Sequence, residues 1–287
     1  MIVVGGEALI DLVPAAGGML LPRPGGGPYN TALALGRLGA PAAFCSRVST
    51  DGFGETLLAG LRAAGVDLSL VERGPEPTTL AVASVGADGS AAYGFYTEGT
   101  ADRLFSLPAA LPPAARALAL GTCSLVLEPG ASAYEALLRR ESDRGLLTLL
   151  DPNIRPALIP DPAAYRERFL SWLPYVRVLK LSEEDARWLG GGTEAWLAAG
   201  PSAVVVTRGA AGLSVTTRDG EHHSVPGCRV EVADTIGAGD TVNAALLHRL
   251  TVEPGAPDWP AVLSYAARAA ALTCTHPGAT PPYASEL

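Results

Sequence analysis

Lysine is nearly missing from this chain. Of its 21 basic residues only Lys180 is a lysine, and the rest are arginines. A phosphate-binding P-loop needs Gly-Lys-Ser/Thr, and Lys180 follows Leu179, so that class of nucleotide site is excluded. A dinucleotide fingerprint is missing too: Gly237-x-Gly239 has Val242 where a third glycine belongs, and Gly5-Gly6 fits no such frame. The four cysteines, Cys45, Cys123, Cys228 and Cys274, lie far apart with no Cys-x-x-Cys and no histidine pair at metal spacing. They read as buried free thiols of a reducing compartment. No basic cluster exists and the net charge is −8, which argues against nucleic acid as a partner. No apolar run approaches the ~18 residues of a membrane helix. The apolar start, Met1 to Leu12, has no basic flank and carries Glu7 and Asp11, so it reads as a first strand rather than a signal sequence. A cytoplasmic protein without a membrane partner is expected. Aromatics are scarce at 6%, yet 48% of residues are hydrophobic, enough for a sizeable aliphatic core.

What is present is an alternation of short apolar runs and helical patterns. Ile2 to Val4 precedes a helical stretch from Tyr29 to Leu38, and Ala42 to Cys45 precedes one from Gly54 to Ala64. The pattern resumes with strands at Ala117 to Leu120, Leu146 to Leu150, Val176 to Leu179 and Ala203 to Val206, separated by helical stretches at Tyr134 to Arg140 and Glu183 to Leu189. Strands and helices in this order predict βαβ units and a mainly parallel sheet covered on both faces, with ligands beyond the C-terminal strand ends. Two segments, Leu12 to Pro24 and Thr78 to Tyr96, break the alternation and read as extended pairs. The second contains a turn signal at Ala87-Asp88-Gly89-Ser90.

The most informative stretch is Asp234-Thr235-Ile236-Gly237-Ala238-Gly239-Asp240, followed by a helical pattern that meets no breaker before Pro254. A helix start exposes unpaired amide groups, and the glycines let an anion approach them. With Asp240 alongside, donors for a phosphate and an acidic base share one turn, which suits phosphoryl transfer to a hydroxyl. A helix entry with an acidic first turn has the same appearance. Near the other end, Gly6-Glu7-Ala8-Leu9-Ile10-Asp11 places Asp11 at a strand end, and Gly25-Gly26-Gly27-Pro28-Tyr29-Asn30 leads into a helix. Asn30 offers a donor and an acceptor suited to vicinal hydroxyls, and equally suits a helix cap. Ser182-Glu183-Glu184-Asp185 fits a helix capping box.

These motifs, in this order, resemble those of the ribokinase-like (pfkB) carbohydrate kinases, and the resemblance covers nearly the whole chain. It implies an α/β fold, a ribokinase-like three-layer sandwich spanning 1–287 as one domain, with a small β lid formed by about 12–24 and 78–100. It also implies pairing of two subunits through that lid. Carried over by position, Asp240 is the catalytic base, and Gly237, Ala238 and Gly239 form the anion hole. Asp11, Gly26, Gly27 and Asn30 inherit sugar contacts. Glu128, at the end of the run Leu125-Val126-Leu127, is placed in the same pocket, although it also suits an exposed loop. Asp151-Pro152-Asn153-Ile154-Arg155 resembles a stretch of the fructokinase branch, in which Arg155 steadies acceptor or phosphate oxygens. Phe95 opens a lid segment in which many relatives carry arginine at the position of Thr97. ATP falls to Lys180, Ser182, Thr207, Gly209 and Gly212. Ser182 and Asp185 stand where the family has Asn-x-x-Glu, so Asp185 is assigned to Mg2+ and its water. Asp234, Ile236, Thr273, His276 and Gly278 match a monovalent-cation loop, hence K+. An acid sugar needs a cation for its carboxylate, so Thr97 tilts the expectation to a neutral sugar, fructose first. Ketodeoxygluconate, ribose, a nucleoside, or a non-catalytic sensor of sugar or nucleotide are the alternatives.

Overall fold

The computed structural model describes residues 1–85, 91–252 and 255–287. In chain order its strands are β1 (Ile2–Gly5), β2 (Leu9–Pro14), β3 (Leu20–Gly25), β4 (Ala42–Ser49), β5 (Val71–Gly74), β6 (Leu80–Val85), β7 (Ala91–Tyr96), β8 (Ala117–Gly121), β9 (Leu147–Asp151), β10 (Val178–Ser182), β11 (Ala203–Thr207), β12 (Leu213–Thr217) and β13 (His222–Val225). The helices are α1 (Gly27–Arg37), α2 (Gly52–Ala63), α3 (Gly130–Asp143), α4 (Pro162–Trp172), α5 (Glu183–Leu189), α6 (Thr193–Ala199), α7 (Ala238–Val252) and α8 (Trp259–Cys274).

Among the described residues nine strands form the main sheet, in the order β13-β12-β11-β10-β9-β8-β1-β4-β5. All neighbours from β11 to β5 run parallel, and only β12 and β13 are antiparallel. Successive side chains on a strand face opposite sides, and β1 shows the effect: Ile2 and Val4 enter one core while Val3 enters the other. The first core lies under α1, α2, α7 and α8, and the second under α3, α4, α5 and α6. The three-layer α/β expectation is met.

Local chemistry starts the helices where the sequence allows. Asp51 accepts from the Gly54 amide, Asp161 from Ala163 and Ala164, and Asp258 from Ala261. Each such N-cap contributes about 1 kcal/mol.

The second, four-stranded sheet has the order β3-β2-β6-β7 and is built from the two segments that broke the alternation. Its first strand begins at Leu9, earlier than the expected Leu12 boundary. Asp11 therefore lies inside β2, paired with Arg23 of β3, and not at a strand end. The turn signal at 87–90 falls outside the described residues. Val126 and Leu127 continue a short helical turn (Thr122–Leu125), because the chain bends sharply where Thr122 takes a φ of 62°. All four cysteines are free, but only Cys45 and Cys123 are buried. Cys274 is half-buried and Cys228 exposed, against the expectation for both.

Candidate active site

Asp240 sits in the first turn of α7 and is only 8% exposed. Asn30 of α1 holds it, donating from Nδ2 to Oδ2 at 2.8 Å, and Thr31 donates its hydroxyl to the Asp240 carbonyl at 3.3 Å. Asn30 thus lies within a helix that starts three residues before it, and serves as no cap. Burial pushes the Asp240 carboxyl up to about 7, against the lowering pull of the Asn30 bond and the Lys180 charge. A carboxyl poised there suits a general base at neutral pH. The turn before it bends at Gly237, whose φ is 80°. Added at that position, a Cβ would stand 2.6 Å from Cβ of Ala279, so the turn and the C-terminal loop pack closely only because Gly237 has none. The Ala238 amide leans on Thr235 O at 3.3 Å, whereas those of Gly237 and Gly239 have no partner among the described residues.

A cavity of about 320 Å³ opens between this turn and the smaller sheet. Asp11, Gly26, Gly27, Asn30, Phe95, Arg155, Lys180, Gly237, Gly239 and Asp240 all line it, so residues from both ends of the chain converge on one cavity. Gly27 allows the approach: a Cβ there would lie 2.7 Å from the Thr122 methyl and 3.2 Å from Asp240 Oδ1. Burial pushes the Asp11 carboxyl up to about 6, against the nearby Arg155 charge. Lys180, 4% exposed, donates to Asp151 Oδ2 at 2.7 Å, and a Cβ on Gly239 would lie 3.2 Å from its Nζ. The chain's one lysine side chain therefore ends beside Gly239. Asn243, one turn along α7 from Asp240, donates to the same Asp151 oxygen at 2.7 Å.

Glu7, Thr122 and Asn153 line this cavity without having been singled out. Glu7 is buried and accepts from the hydroxyls of Thr122 and Ser124 and from the Ser124 amide, while burial raises its carboxyl pKa. Its neighbourhood to Asp11 in the chain was a usable signal. Thr122 carried none, since its place depends on an unusual backbone angle.

Two expected members stand elsewhere. Glu128 accepts from the Ser132 amide at 3.0 Å, at the start of α3, and pairs with Arg168 at 2.8 Å on the surface; it does not line the cavity. Asp185 closes the capping box of α5, accepting from the Ser182 hydroxyl at 2.6 Å and amide at 3.1 Å, and from the Ile154 amide at 2.8 Å. Ser182 and Asp185 thus hold the start of α5, and neither lines the cavity. Among the described residues no group of three or more His, Cys, Asp or Glu could hold a metal ion.

A second cavity, about 630 Å³, lies on the other side of the Gly237 to Asp240 turn and shares Thr235 and Gly239 with the first. Thr207, Gly209, Gly212 and Ala238 line it, with Val230, Val242 and Ala267 giving apolar walls. The residues expected in a cation loop come from two segments of the chain. Asp234 accepts from the amides of Ile236 at 3.1 Å and Gly278 at 2.9 Å, joining two distant loops. Thr273 is buried at the end of α8, its hydroxyl on that of Thr241, and the His276 ring is exposed. Among the described residues no helix is long and apolar enough to cross a membrane.

Known proteins match this arrangement. A fructokinase of Rhizobium leguminosarum bv. trifolii is 41% identical over 266 residues, 88% of this chain and 80% of its own length. A crystal structure of fructokinase from Vibrio cholerae with fructose, ADP and calcium ion superposes with a TM-score of 0.85 at 28% identity, covering 97% of this chain and 94% of that one. A double mutant of the same enzyme holds fructose, ADP and potassium ion (TM-score 0.84, 29% identity, 97% and 93% covered). The fructokinase of Xylella fastidiosa with bound ATP gives 0.87 at 28% identity, covering 99% and 96%. Residues 1–286 match the pfkB family carbohydrate kinases, so the chain belongs to that family and is a phosphotransferase with an alcohol group as acceptor.

Proposed function

We propose that this kinase transfers the terminal phosphoryl group of ATP to a primary hydroxyl of fructose, giving fructose 6-phosphate. The observation that carries the reading is the buried Asp240 carboxyl, pushed up to about 7 and steadied by Asn30, beside the unpartnered amides of Gly237 and Gly239. The sugar lies in the smaller cavity, where Asp11 and Asn30 meet its hydroxyls, and ATP reaches from the larger one across Gly239. Asp240 takes the hydroxyl proton, the sugar oxygen bonds to the terminal phosphorus, and the bond to the ADP oxygen breaks. The Gly237 and Gly239 amides and the Lys180 ammonium balance the charge on the phosphoryl oxygens. A Mg2+ ion arriving with ATP keeps mostly water and phosphate oxygens as ligands, which agrees with the few carboxylates left for it. K+ suits the oxygens of the Asp234 loop, with Ile236, Thr273, His276 and Gly278 offering backbone carbonyls.

Fructose is favoured by the relatives and by Thr97, which is neutral where a sugar acid would need a cation. Arg155 on the cavity wall favours the second reading, an acid acceptor such as ketodeoxygluconate. A coupled ADP-release assay over fructose, ketodeoxygluconate, ribose and a nucleoside decides. The highest kcat/KM is expected with fructose, and a higher value with any other acceptor overturns the choice. Turnover is expected to be faster in KCl than in NaCl at equal ionic strength; equal rates dismiss the K+ assignment. Met19, Leu20, Leu21 and Tyr96 are exposed on the lid, which supports pairing of two whole-chain kinase domains through it. Sedimentation at the mass of one chain would refute that pairing.

A further inference from the structure

A third cavity, of about 250 Å³, lies on another side of α1 from the Asp240 site. Tyr29, Leu33 and Arg37 line it at spacings of four, which places them on one helical face, while Gly27 and Asn30 face Asp240. The lid strand β3 contributes Arg23, and the C-terminal loop closes the rim with residues 277–280. Three donors meet here. Arg23 is exposed and has no hydrogen-bond or ion-pair partner among the described residues. Arg37 gives one nitrogen to Pro281 O at 2.7 Å and lies over the Tyr283 ring, leaving the rest of its guanidinium uncommitted among the described residues. Tyr29 is 2% exposed, yet its hydroxyl has no partner among the described residues and rests against Gly60, itself on the cavity wall.

Among the described residues no carboxylate lines the cavity, although the chain as a whole carries a charge of −8. Donors that open onto one cavity can converge on an oxyanion, and hydrogen bonds from guanidinium to such an anion are charge-assisted. The volume exceeds what one inorganic anion fills and approaches the lower range of metabolite pockets. Burial pushes the Tyr29 phenol up to about 12, so it remains a donor at neutral pH.

We propose that this cavity is a second ligand site, for a phosphate group carried on a small metabolite, and that its occupant regulates the enzyme. The coupling follows from what the walls touch. Arg23 pairs across the lid with Asp11, Tyr29 precedes Asn30, and the loop that holds Ala279 packs on Gly237 while Gly278 binds Asp234. An anion bridging Arg23 to Arg37 ties the lid to α1 and to the loop beneath the anion hole, and so lowers KM for the sugar. This regulatory half rests on the kinase reading above; binding itself does not.

The test uses the full chain with its nucleotide site filled by a non-hydrolysable ATP analogue, titrated by calorimetry with glycerol 3-phosphate, with inorganic phosphate and with glycerol. Glycerol 3-phosphate is expected to saturate and glycerol to show no heat. Arg23→Gln, an exposed change that spares the fold, is expected to weaken binding about tenfold or more, the loss of one charged hydrogen bond; Tyr29→Phe is expected to weaken it less. Inorganic phosphate binding as tightly as the ester assigns the site to free phosphate. Absence of saturable binding, or equal affinity in wild type and Arg23→Gln, overturns the site. In initial rates the ligand is expected to lower the sugar KM of the wild type, and Arg23→Gln to keep basal turnover and lose the response. An unmoved KM overturns the regulation, whereas an enzyme with no turnover at all would indict the kinase reading instead.

Discussion

Replacing Asp240 by asparagine separates what this residue does for chemistry from what it costs the fold. Its carboxyl is pushed from 3.8 to about 7 by burial. Below about pH 4 it is protonated both folded and unfolded, and contributes no pH dependence. Between about 4 and 7 the unfolded chain releases the proton and the folded one keeps it, so wild-type stability falls as pH rises, and above 7 the loss is complete. About three pKa units at ~1.36 kcal/mol each set a ceiling of roughly 4 kcal/mol, and water entering the cavity makes the true figure smaller. At about 2 °C per kcal/mol for a chain of this size, Asp240→Asn gains up to roughly 8 °C in Tm over wild type at pH 8 and little at pH 4.5. The new amide oxygen can still accept from Asn30, so the geometry survives. Turnover falls by about 10²–10⁴, with sugar KM nearly unchanged. Calorimetric scans of both proteins without ligands, from pH 4.5 to 8.5, give the difference curve. A flat curve, or a variant less stable at pH 8 than the wild type, refutes the electrostatic argument; wild-type turnover in the variant refutes the assignment of the base.

Two further perturbations probe the same constellation. Asn30→Ala removes the hydrogen bond that lowers the Asp240 pKa, so the acidic limb of the kcat/KM profile is expected to move above 7; an unmoved limb would show that Asn30 does not hold the base. Lys180→Met leaves the Asp151 carboxylate buried without its ion, at a cost of about 3–5 kcal/mol in denaturant melts. The double variant with Asp151→Asn is expected to recover much of that stability but not the turnover, and recovery of both would remove Lys180 from the phosphoryl site.

Much of this fold was legible because parallel strands buried on both faces leave plain apolar runs, as at Ala117 to Leu120 and Ala203 to Val206, and the structure places β8 and β11 there. Helices with weaker patterns were not read: α4 carries Arg166, Glu167 and Arg168 at its centre, and α6 is short and follows a run of three glycines. β12 and β13 were missed because polar residues break up their apolar runs: Ser214, Thr216 and Thr217 in the largely buried β12, and His222, His223 and Ser224 in the edge strand β13. At the site, Asp240, Asn30 and Gly27 were readable since small residues around a helix start imply close approach. Glu128 misled because an acid after three apolar residues mimics a strand end, when the chain had already turned at Thr122. Asp185 shows the opposite ambiguity: Ser-x-x-Asp serves equally as a cap and as a phosphate-side motif, and the hydrogen bonds show the cap.

The single lysine meets two neighbouring buried acids unequally. The Asp151 charge raises the cost of ionising Asp240, and the ammonium that binds Asp151 makes no contact with Asp240. Lys180 lies 2.7 Å from Asp151 and reaches Asp240 only through space, while Asn243 reinforces the same Asp151 oxygen. Asp151 therefore anchors the ammonium beside Gly239, while the Asp240 carboxylate has, among the described residues, only the neutral Asn30 amide as side-chain partner and a pKa raised to about 7. A carboxylate bridged directly to lysine would be a weak base. Separating the two by the width of the α7 turn leaves one acid to position charge and the other free to take a proton.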